Sequence, residues 1–275
     1  MQFFLKRLIL FLLRFLEHQN RKVISKHIVQ NSLIYKYQQV MFNYDQNYNS
    51  KTGGWKIPNT NEIDYGSIEL EVGKLWHDLI KLLRPVNILE TGVHKGYSTC
   101  NMASALYELK IGGHIWCIDP NTIPHLWDNT ELKPMITWIP KFSNDSFEDV
   151  KDIHFDLLVL DSNHDYKTAM WELIHFEPLL KENGHIFMHD TLYFDGVGAA
   201  VKQLYKNPRF ELVTVDSPRT HGHSGRCPGI TIIRKIRTGP PLVFEKKYEQ
   251  WFIGEPNKKA YLRDFLLKAN EGTIK

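Results

Sequence analysis

The chain has 275 residues, of which 43% are hydrophobic, so it has enough apolar material for a buried core. Its formal net charge is +3, with acidic and basic residues interleaved along the sequence, and this pattern argues against a nucleic-acid partner. The three cysteines are an odd number, and Cys100 and Cys117 stand in apolar segments. We therefore expect buried free thiols in a reducing, cytoplasmic compartment, and neither a disulfide framework nor a cysteine-based zinc site.

The first segment, residues 1–16, is rich in Phe, Leu and Ile but is interrupted by Lys6, Arg7 and Arg14. A membrane-spanning helix needs about 18 uninterrupted apolar residues, and a signal peptide needs a charge-free stretch after a basic start. Neither pattern fits, and the segment instead predicts an amphipathic helix. This helix would dock on the body of the protein, on a second copy in a homo-oligomer, or on a membrane surface as a peripheral contact.

Residues 1–66 as a whole are predicted to form an N-terminal helical extension. The helical pattern runs to about Ser50, and the Gly-, Pro- and Asn-containing stretch 51–61 then breaks regular structure. Trp55 and Tyr65 are candidates for a lid within this extension. Leucines then recur at helical spacing from residue 67 to residue 83, and Pro85 ends that helix. The central domain is predicted over residues 67–238, and a C-terminal extension with a helix at 258–268 follows as residues 239–275.

Short apolar runs alternate with amphipathic helical stretches through the central domain. Continuous hydrophobicity is typical of parallel strands that are covered on both faces. The predicted parallel strands are residues 86–90, 115–119, 136–139, 155–161 and 185–189. Two further strands, 210–215 and 229–234, follow one another without a helix and predict a terminal antiparallel hairpin. The sequence therefore predicts an α/β fold with a Rossmann-like, doubly wound, seven-stranded and mostly parallel sheet.

A glycine-containing turn follows the first of these strands, in the sequence NILETGVHKGYST. Gly92 and Gly96 permit a close backbone approach to a ligand, and the helix that begins near Tyr97 offers free N–H groups. The acidic Glu90 before the turn would repel a pyrophosphate but would suit the ammonium group of a methionine. This charge argument favours S-adenosylmethionine (SAM) over NAD as the bound cofactor, with the segment from Glu90 to Ser98 forming its cradle.

Two later positions complete the predicted cofactor site. Asp119 ends the second parallel strand, where a carboxylate can accept hydrogen bonds from both ribose hydroxyls, although a helix cap or turn is its structural alternative. Ser146, or its backbone, is the candidate contact to the adenine ring. Asn144 or Asp145 can equally be a plain N-cap of the helix that begins there.

Polar side chains also stand at the ends of the fourth and fifth strands. Asp161 ends the fourth strand, and His189 with Asp190 ends the fifth. Because the carboxyl ends of neighbouring parallel strands share one crevice, these side chains should converge beside the methyl donor. The two carboxylates suit Mg²⁺ or Mn²⁺, which would bind a substrate hydroxyl and lower its pKa.

Residues 67–236 resemble class I SAM-dependent O-methyltransferases on the strength of these motifs. The run LLVLDSNHDYKTAMWELIHFEPLLKENGHIFMHDT is similar to the branch of metal-dependent sugar and antibiotic O-methyltransferases and cephalosporin hydroxylase-like proteins. The resemblance implies metal ligands at Asp161, His189 and Asp190, with His164 as the general base. Relatives often carry Glu where His189 stands, and an imidazole there either shifts the preference toward Mn²⁺, Fe²⁺ or Zn²⁺ or does not coordinate.

His164 follows Asp161 by three residues and can reach a hydroxyl bound in the same crevice. Its alternative is a solvent-facing loop histidine, and Asp165 and Lys167 are lesser candidates for the base. The loop 216–229, with His221 and His223, predicts a polar segment near the substrate. The expected reaction is methyl transfer from SAM to a hydroxyl of a sugar or another small acceptor, with a hydroxylase-like metalloenzyme or a non-catalytic SAM-binding protein as alternatives.

Overall fold

The structure is a computed structural model that describes residues 36–51, 53–216, 226–255 and 258–272. The amphipathic helix predicted over residues 1–16 lies outside the described residues, as do His221 and His223. Among the described residues, no helix combines the length and the apolar character needed to cross a membrane. Cys100, Cys117 and Cys227 are all buried free thiols, as expected for the first two.

The described part of the N-terminal extension is only partly helical. Helix α1, Lys36–Asp45, is followed by a small antiparallel sheet made of β1, Tyr48–Asn49, β2, Gly54–Lys56, and β3, Ile63–Asp64. The helical pattern predicted up to about Ser50 ends at Asp45 in the described residues, and the described part of the stretch 51–61, predicted to break regular structure, lies within the small sheet and its turns. The reason is local, because the glycine- and proline-rich stretch between these strands forms turns that fold the chain back on itself.

The main sheet has seven strands among the described residues, in the order β6-β5-β4-β7-β8-β10-β9. Its members are β4, Asn87–Thr91, β5, His114–Ile118, β6, Ile136–Ile139, β7, Phe155–Leu160, β8, Leu180–His189, β9, Phe210–Val215, and β10, Ile230–Lys235. Strand β10 lies between β8 and β9 and runs antiparallel to both, while the other pairs are parallel. The predicted fold class is confirmed, and the antiparallel strand is inserted into the sheet.

Six helices accompany this sheet in the described part of the chain. They are α2, Leu70–Leu83, α3, Tyr97–Leu109, α4, Ser143–Val150, α5, Tyr166–Phe176, α6, Asp195–Tyr205, and α7, Tyr261–Asn270. Alternate strand residues face opposite ways, so Ile88 and Leu157 pack with helices α1 to α3, whereas Leu89 and Leu158 pack with helices α4 to α7. The apolar runs in the strands thus feed two cores, one on each face of the sheet.

Helix α2 has the predicted period but a different buried face. Trp76 and Ile80 are fully buried, whereas Leu82 is 74% exposed and Leu75 is 37% exposed. The apolar stripe of the helix runs through Val72, Trp76 and Ile80, which are spaced four residues apart and therefore share one side. The leucines used in the sequence argument include residues that face solvent.

The C-terminal extension packs beside the carboxyl ends of the strands. The backbone carbonyl of Trp251 accepts a hydrogen bond from Tyr166 N–H at 2.9 Å, and that of Phe252 accepts one from Gly196 N–H at 2.9 Å. Arg226 also donates to Asp195 Oδ1 at 2.8 Å. These contacts hold the start of helices α5 and α6, and with them the loop that carries His164.

Candidate active site

A cleft of about 780 Å³ opens at the carboxyl ends of β4, β5 and β7, where the direction of strand succession reverses. Ligands of open α/β sheets bind at such a switch point, and the volume lies in the range of about 300–1,000 Å³ typical of small-molecule pockets. Its lining includes Gly66, Gly92, His94, Asp119, Asn121, Phe142, Ser143, Asp161, Ser162, His164, Lys167 and Trp171. The cleft is therefore lined by residues of the predicted cofactor site, Gly92 and Asp119, and by residues of the predicted base and metal site, Asp161 and His164.

Gly92 and Gly96 have backbone conformations that exclude larger residues. Their φ angles are +73° and +80°. A Cβ on Gly92 would lie 2.0 Å from the carbonyl oxygen of Asp161, and one on Gly96 would lie 1.9 Å from the ring of Trp127. Glycine is thus required because the turn packs against the end of β7 at Asp161 and against the loop after β5 at Trp127. This packing leaves the backbone of the turn at the cleft.

Glu90 does not face the cleft, in contrast to the role expected for it. It is fully buried, and both Ser98 and Thr99 at the start of α3 donate to its carboxylate, Thr99 at 2.6 Å. Burial raises the pKa of Glu90 to about 7, against the effect of these hydrogen bonds. The geometry makes Glu90 and Ser98 a buried pair that fixes the turn to the helix, so neither side chain is placed for the methionine ammonium.

Replacing Glu90 by Gln should change the pH dependence of stability and leave the cleft intact. Because the folded-state pKa is raised from 4.5 to about 7, folding retains a proton in that window, and stability is lost as the pH rises through it. We expect wild type to lose on the order of 3 kcal/mol from this group between those pH values, and Glu90→Gln to lack that slope. Denaturant unfolding of both proteins at pH 5 and pH 8 measures this difference in the free energy of unfolding. An equal change between the two pH values in wild type and in Glu90→Gln would contradict the prediction.

Asp119 lies at the edge of the cleft and organises the glycine turn. Its Oδ2 accepts hydrogen bonds from the backbone N–H groups of Val93 and His94, both at 2.9 Å, and its Oδ1 accepts one from Asn121 N–H at 2.8 Å. A carboxylate has about four acceptor sites, so the side chain retains capacity toward the cleft. Asp119 therefore has the turn-forming role that was its alternative, and its place in the cleft lining is compatible with the predicted ribose contact.

The predicted adenine contact falls one turn away from the cleft. Ser146 is fully buried in α4, and its hydroxyl donates to the carbonyl of Ser143 at 2.8 Å. Phe142 and Ser143 line the cleft in its place. The expected N-cap roles of Asn144 and Asp145 are also wrong, because Ser143 already begins the helix. The phase of a short polar helix start is hard to fix from sequence, since several adjacent residues favour the cap position.

Asp161, His164 and Asp190 form a cluster whose ligand atoms all lie within 4.8 Å of one another. His164 Nε2 is 3.4 Å from Asp161 Oδ1 and 3.3 Å from Asp190 Oδ2. His189 Nδ1 approaches the same two oxygens, at 3.5 Å and 3.6 Å. The expected convergence of Asp161, His189 and Asp190 is found, and His164 lies at a similar distance from the two carboxylates.

The loop after β7 holds His164 in a defined orientation. Asp165 caps α5 through a hydrogen bond from Thr168 N–H at 2.8 Å, and the His164 ring stacks on Phe194 with centroids 4.2 Å apart. Burial disfavours the charged imidazole, but the hydrogen bond to Asp161 and the charge of Asp190 raise the pKa of His164 above its ordinary value. Its solvent-facing alternative is therefore not what the structure shows.

His189 is buried behind the two carboxylates. Its Nε2 lies 2.8 Å from Oε2 of Glu69, and although burial opposes the charged form, Asp161, Asp190 and Glu69 together raise the pKa of His189 well above its usual range. Asp190 has a φ of +57°, in the left-handed region that non-glycine residues seldom adopt. Such strained backbone is found disproportionately at functional sites.

The segment before α2 contributes contacts that the sequence did not indicate. Asp64 accepts from His94 Nε2 at 2.9 Å and also pairs with Lys95, which ties β3 to the glycine turn. Trp55, expected as a lid, is instead 1% exposed and donates its indole N–H to the carbonyl of Ile68. Asp64 lies 30 positions from His94, and Glu69 lies 120 positions from His189, so no local sequence motif indicates either pair.

Residues 89–191 match the family model described as a methyltransferase domain. No curated protein matches the chain. Many solved structures share the fold, including two that were solved with SAH or SAM. The O-methyltransferase from Bacillus cereus in complex with SAH is 14% identical, with a TM-score of 0.56, over 78% of this chain and 97% of that chain. The O-methyltransferase TomG from Streptomyces achromogenes, involved in tomaymycin synthesis and solved with SAM, is 14% identical, with a TM-score of 0.51, over 73% of this chain and 87% of that chain.

Residues 89–191, which include the glycine turn, Asp119 and the loop that carries His164, are thus similar to a methyltransferase domain. The fold of the surrounding body is shared with the two solved O-methyltransferases. The resemblance inferred from the strand and glycine motifs is therefore confirmed by the match to a methyltransferase domain over residues 89–191 and by the shared fold.

Proposed function

We propose that the protein transfers the methyl group of SAM to a hydroxyl oxygen of a small acceptor. One observation carries this proposal: the turn-organising carboxylate of Asp119 lines the same cleft as Asp161 and His164, which cluster with Asp190. Recognition of a ribose and handling of a proton can therefore occur within one cavity. The SAM- and SAH-bound states of the two similar O-methyltransferases support the choice of cofactor.

The cleft residues define how SAM would be held. Asp119 would accept the ribose hydroxyls, the backbone at Gly92 would line the methionine portion, and Phe142 and Ser143 would flank the adenine. Glu90 and Ser98 would act indirectly by fixing the turn. With Glu90 turned inward and Asp119 bonded to the turn, Asp161, whose backbone carbonyl lies against Gly92, would supply the carboxylate that attracts the positively charged donor.

Asp161 and Asp190, together with the neighbouring His189, have the donor chemistry of a divalent metal site. Asp161 and Asp190 offer carboxylate oxygens, and His189 offers a nitrogen on the same side. Oxygen donors alone suit Mg²⁺, whereas a set with an imidazole suits Mn²⁺ or another first-row ion. When bound, the metal would supply a Lewis acid that lowers the pKa of the acceptor hydroxyl.

His164 would act as the general base. Its Nε2 would take the proton of the acceptor hydroxyl, and Asp161 and Asp190 would stabilise the resulting imidazolium. The acceptor oxygen would form the new bond to the methyl carbon as the carbon–sulfur bond breaks and its electron pair passes to sulfur. The cleft residues supply the alignment of the oxygen behind the methyl group.

A labelled-methyl assay tests this proposal directly. The full-length protein is incubated with methyl-radiolabelled SAM, with sugars, phenols and other hydroxylated metabolites, and with each divalent metal in turn. Label on an acceptor oxygen is the expected result. SAH binding without transfer to any acceptor class would favour the non-catalytic alternative, and a hydroxylated product formed without methyl transfer would favour the hydroxylase-like one.

Replacing Asp119 by Ala should weaken the binding of SAH by about 1–3 kcal/mol, because the ribose loses its acceptor and the turn loses the hydrogen bonds to Val93 and His94. Calorimetry measures the affinity, and Asp128→Ala serves as a control because Asp128 binds Lys133 at the surface. Wild-type affinity in Asp119→Ala would remove this residue from the cofactor site.

A further inference from the structure

Glu69 is a buried carboxylate with an unusual use. It stands at the N-cap position of α2, where an acidic side chain commonly accepts a hydrogen bond from its own helix, yet it makes no such bond. Only 3% of the residue is exposed, and its Oε2 lies 2.8 Å from His189 Nε2, across 120 positions of sequence. A buried charge is costly unless it is paired, so the pair with His189 accounts for the placement of Glu69.

The opposite edge of the His189 ring faces the candidate active site. Nδ1 is 3.5 Å from Asp161 Oδ1 and 3.6 Å from Asp190 Oδ2, and the ring packs edge-on against Trp76. A metal ion binds the neutral imidazole and so displaces one ring proton, and a hydrogen retained on Nε2 leaves the lone pair on Nδ1. A hydrogen bond from Nε2 to Glu69 therefore directs that lone pair toward the space between the two carboxylates.

We propose that Glu69 is a positioning residue that commits His189 Nδ1 to a metal site shared with Asp161 and Asp190, and that this site selects a first-row transition-metal ion over Mg²⁺. The proposal rests on the metal-assisted form of the proposed function. A carboxylate behind a ligating histidine fixes the ring and increases its basicity. An imidazole in the donor set favours ions such as Mn²⁺, Fe²⁺ or Zn²⁺, since Mg²⁺ prefers oxygen ligands.

The proposal is tested by metal binding to the full-length protein, independently of turnover. Metal-stripped wild type and Glu69→Gln are titrated calorimetrically with Mn²⁺ and, separately, with Mg²⁺. We expect wild type to bind Mn²⁺ more tightly than Mg²⁺, and Glu69→Gln to lose about 10–100-fold in Mn²⁺ affinity, with a smaller change for Mg²⁺. Glu71→Gln is the matched control, because Glu71 lies in the first turn of the same helix but contacts Tyr48 at the surface.

Two results would overturn the proposal. Unchanged Mn²⁺ affinity in Glu69→Gln would remove its positioning role, and wild type that binds Mg²⁺ as tightly as Mn²⁺, or binds neither ion, would remove His189 from the ligand set. Should Glu69→Gln fail to fold, His189→Gln gives the second test, since retained Mn²⁺ selectivity there would contradict the proposal. SAH affinity is measured in parallel, so that failure of the methyltransferase proposal is distinguished from failure of the metal site.

Discussion

His164→Ala should slow methyl transfer by about 10²–10⁴-fold, which is the usual effect of removing a general base. The imidazole Nε2 lies 3.3–3.4 Å from the two carboxylates that would stabilise its protonated form, and the ring is held by its stack on Phe194. Alanine removes the proton acceptor but leaves Asp119 and the glycine turn in place. The measurement is the initial rate with a confirmed acceptor, and SAH affinity should stay near that of wild type.

The same variant separates a base from a metal ligand, because His164 is as close to the carboxylates as His189 is. If His164 is the general base, His164→Ala retains wild-type Mn²⁺ affinity. If His164 is a metal ligand, Mn²⁺ affinity falls together with turnover. His77→Ala is the matched control, since His77 lies at the surface beside Asp78 and Glu108. Full activity of His164→Ala would reject the base role altogether.

Gly92→Ala should be among the most damaging single-methyl additions to the fold. The residue has a φ of +73°, and the added carbon would lie 2.0 Å from the carbonyl oxygen of Asp161. The left-handed backbone costs about 1–2 kcal/mol, and overpacking commonly adds about 1–3 kcal/mol. Because relief of the clash must move Asp161 or the turn, we also expect weaker SAH binding.

Gly112→Ala is the matched control for this substitution. Gly112 has a φ of +71° but no heavy atom within 4 Å of the added carbon, so it carries the backbone strain without the clash. Denaturant unfolding of the two variants therefore isolates the contribution of packing against Asp161. Equal losses of stability would contradict a tight contact between the glycine turn and β7.

Local patterns in the sequence were sufficient for the fold and for part of the site. Continuous apolar runs predicted the strands because both faces of the sheet are covered. Asp119 and Asp161 line one cleft, and Asp190 lies beside Asp161, because strand ends in a parallel sheet share one edge. Leu82, by contrast, is exposed because hydrophobic period alone does not fix which side of a helix meets the core.

The failures concern side-chain direction and long-range pairing. Glu90 precedes the glycine turn as expected, but alternation along β4 turns its side chain into the core beside Ser98 and Thr99, a direction that the charge of the residue does not indicate. Glu69 was missed because its partner lies 120 positions away. Only the packing of α2 against the sheet brings the two residues together.

Titration of the purified full-length protein with SAH tests the central claim most directly. We predict saturable binding with a dissociation constant in the micromolar range, equivalent to about 8 kcal/mol of binding free energy, and no displacement of SAH by NAD. Absence of any binding of SAH to the folded protein would contradict the assignment of the cleft as a SAM site and, with it, the proposed methyl transfer.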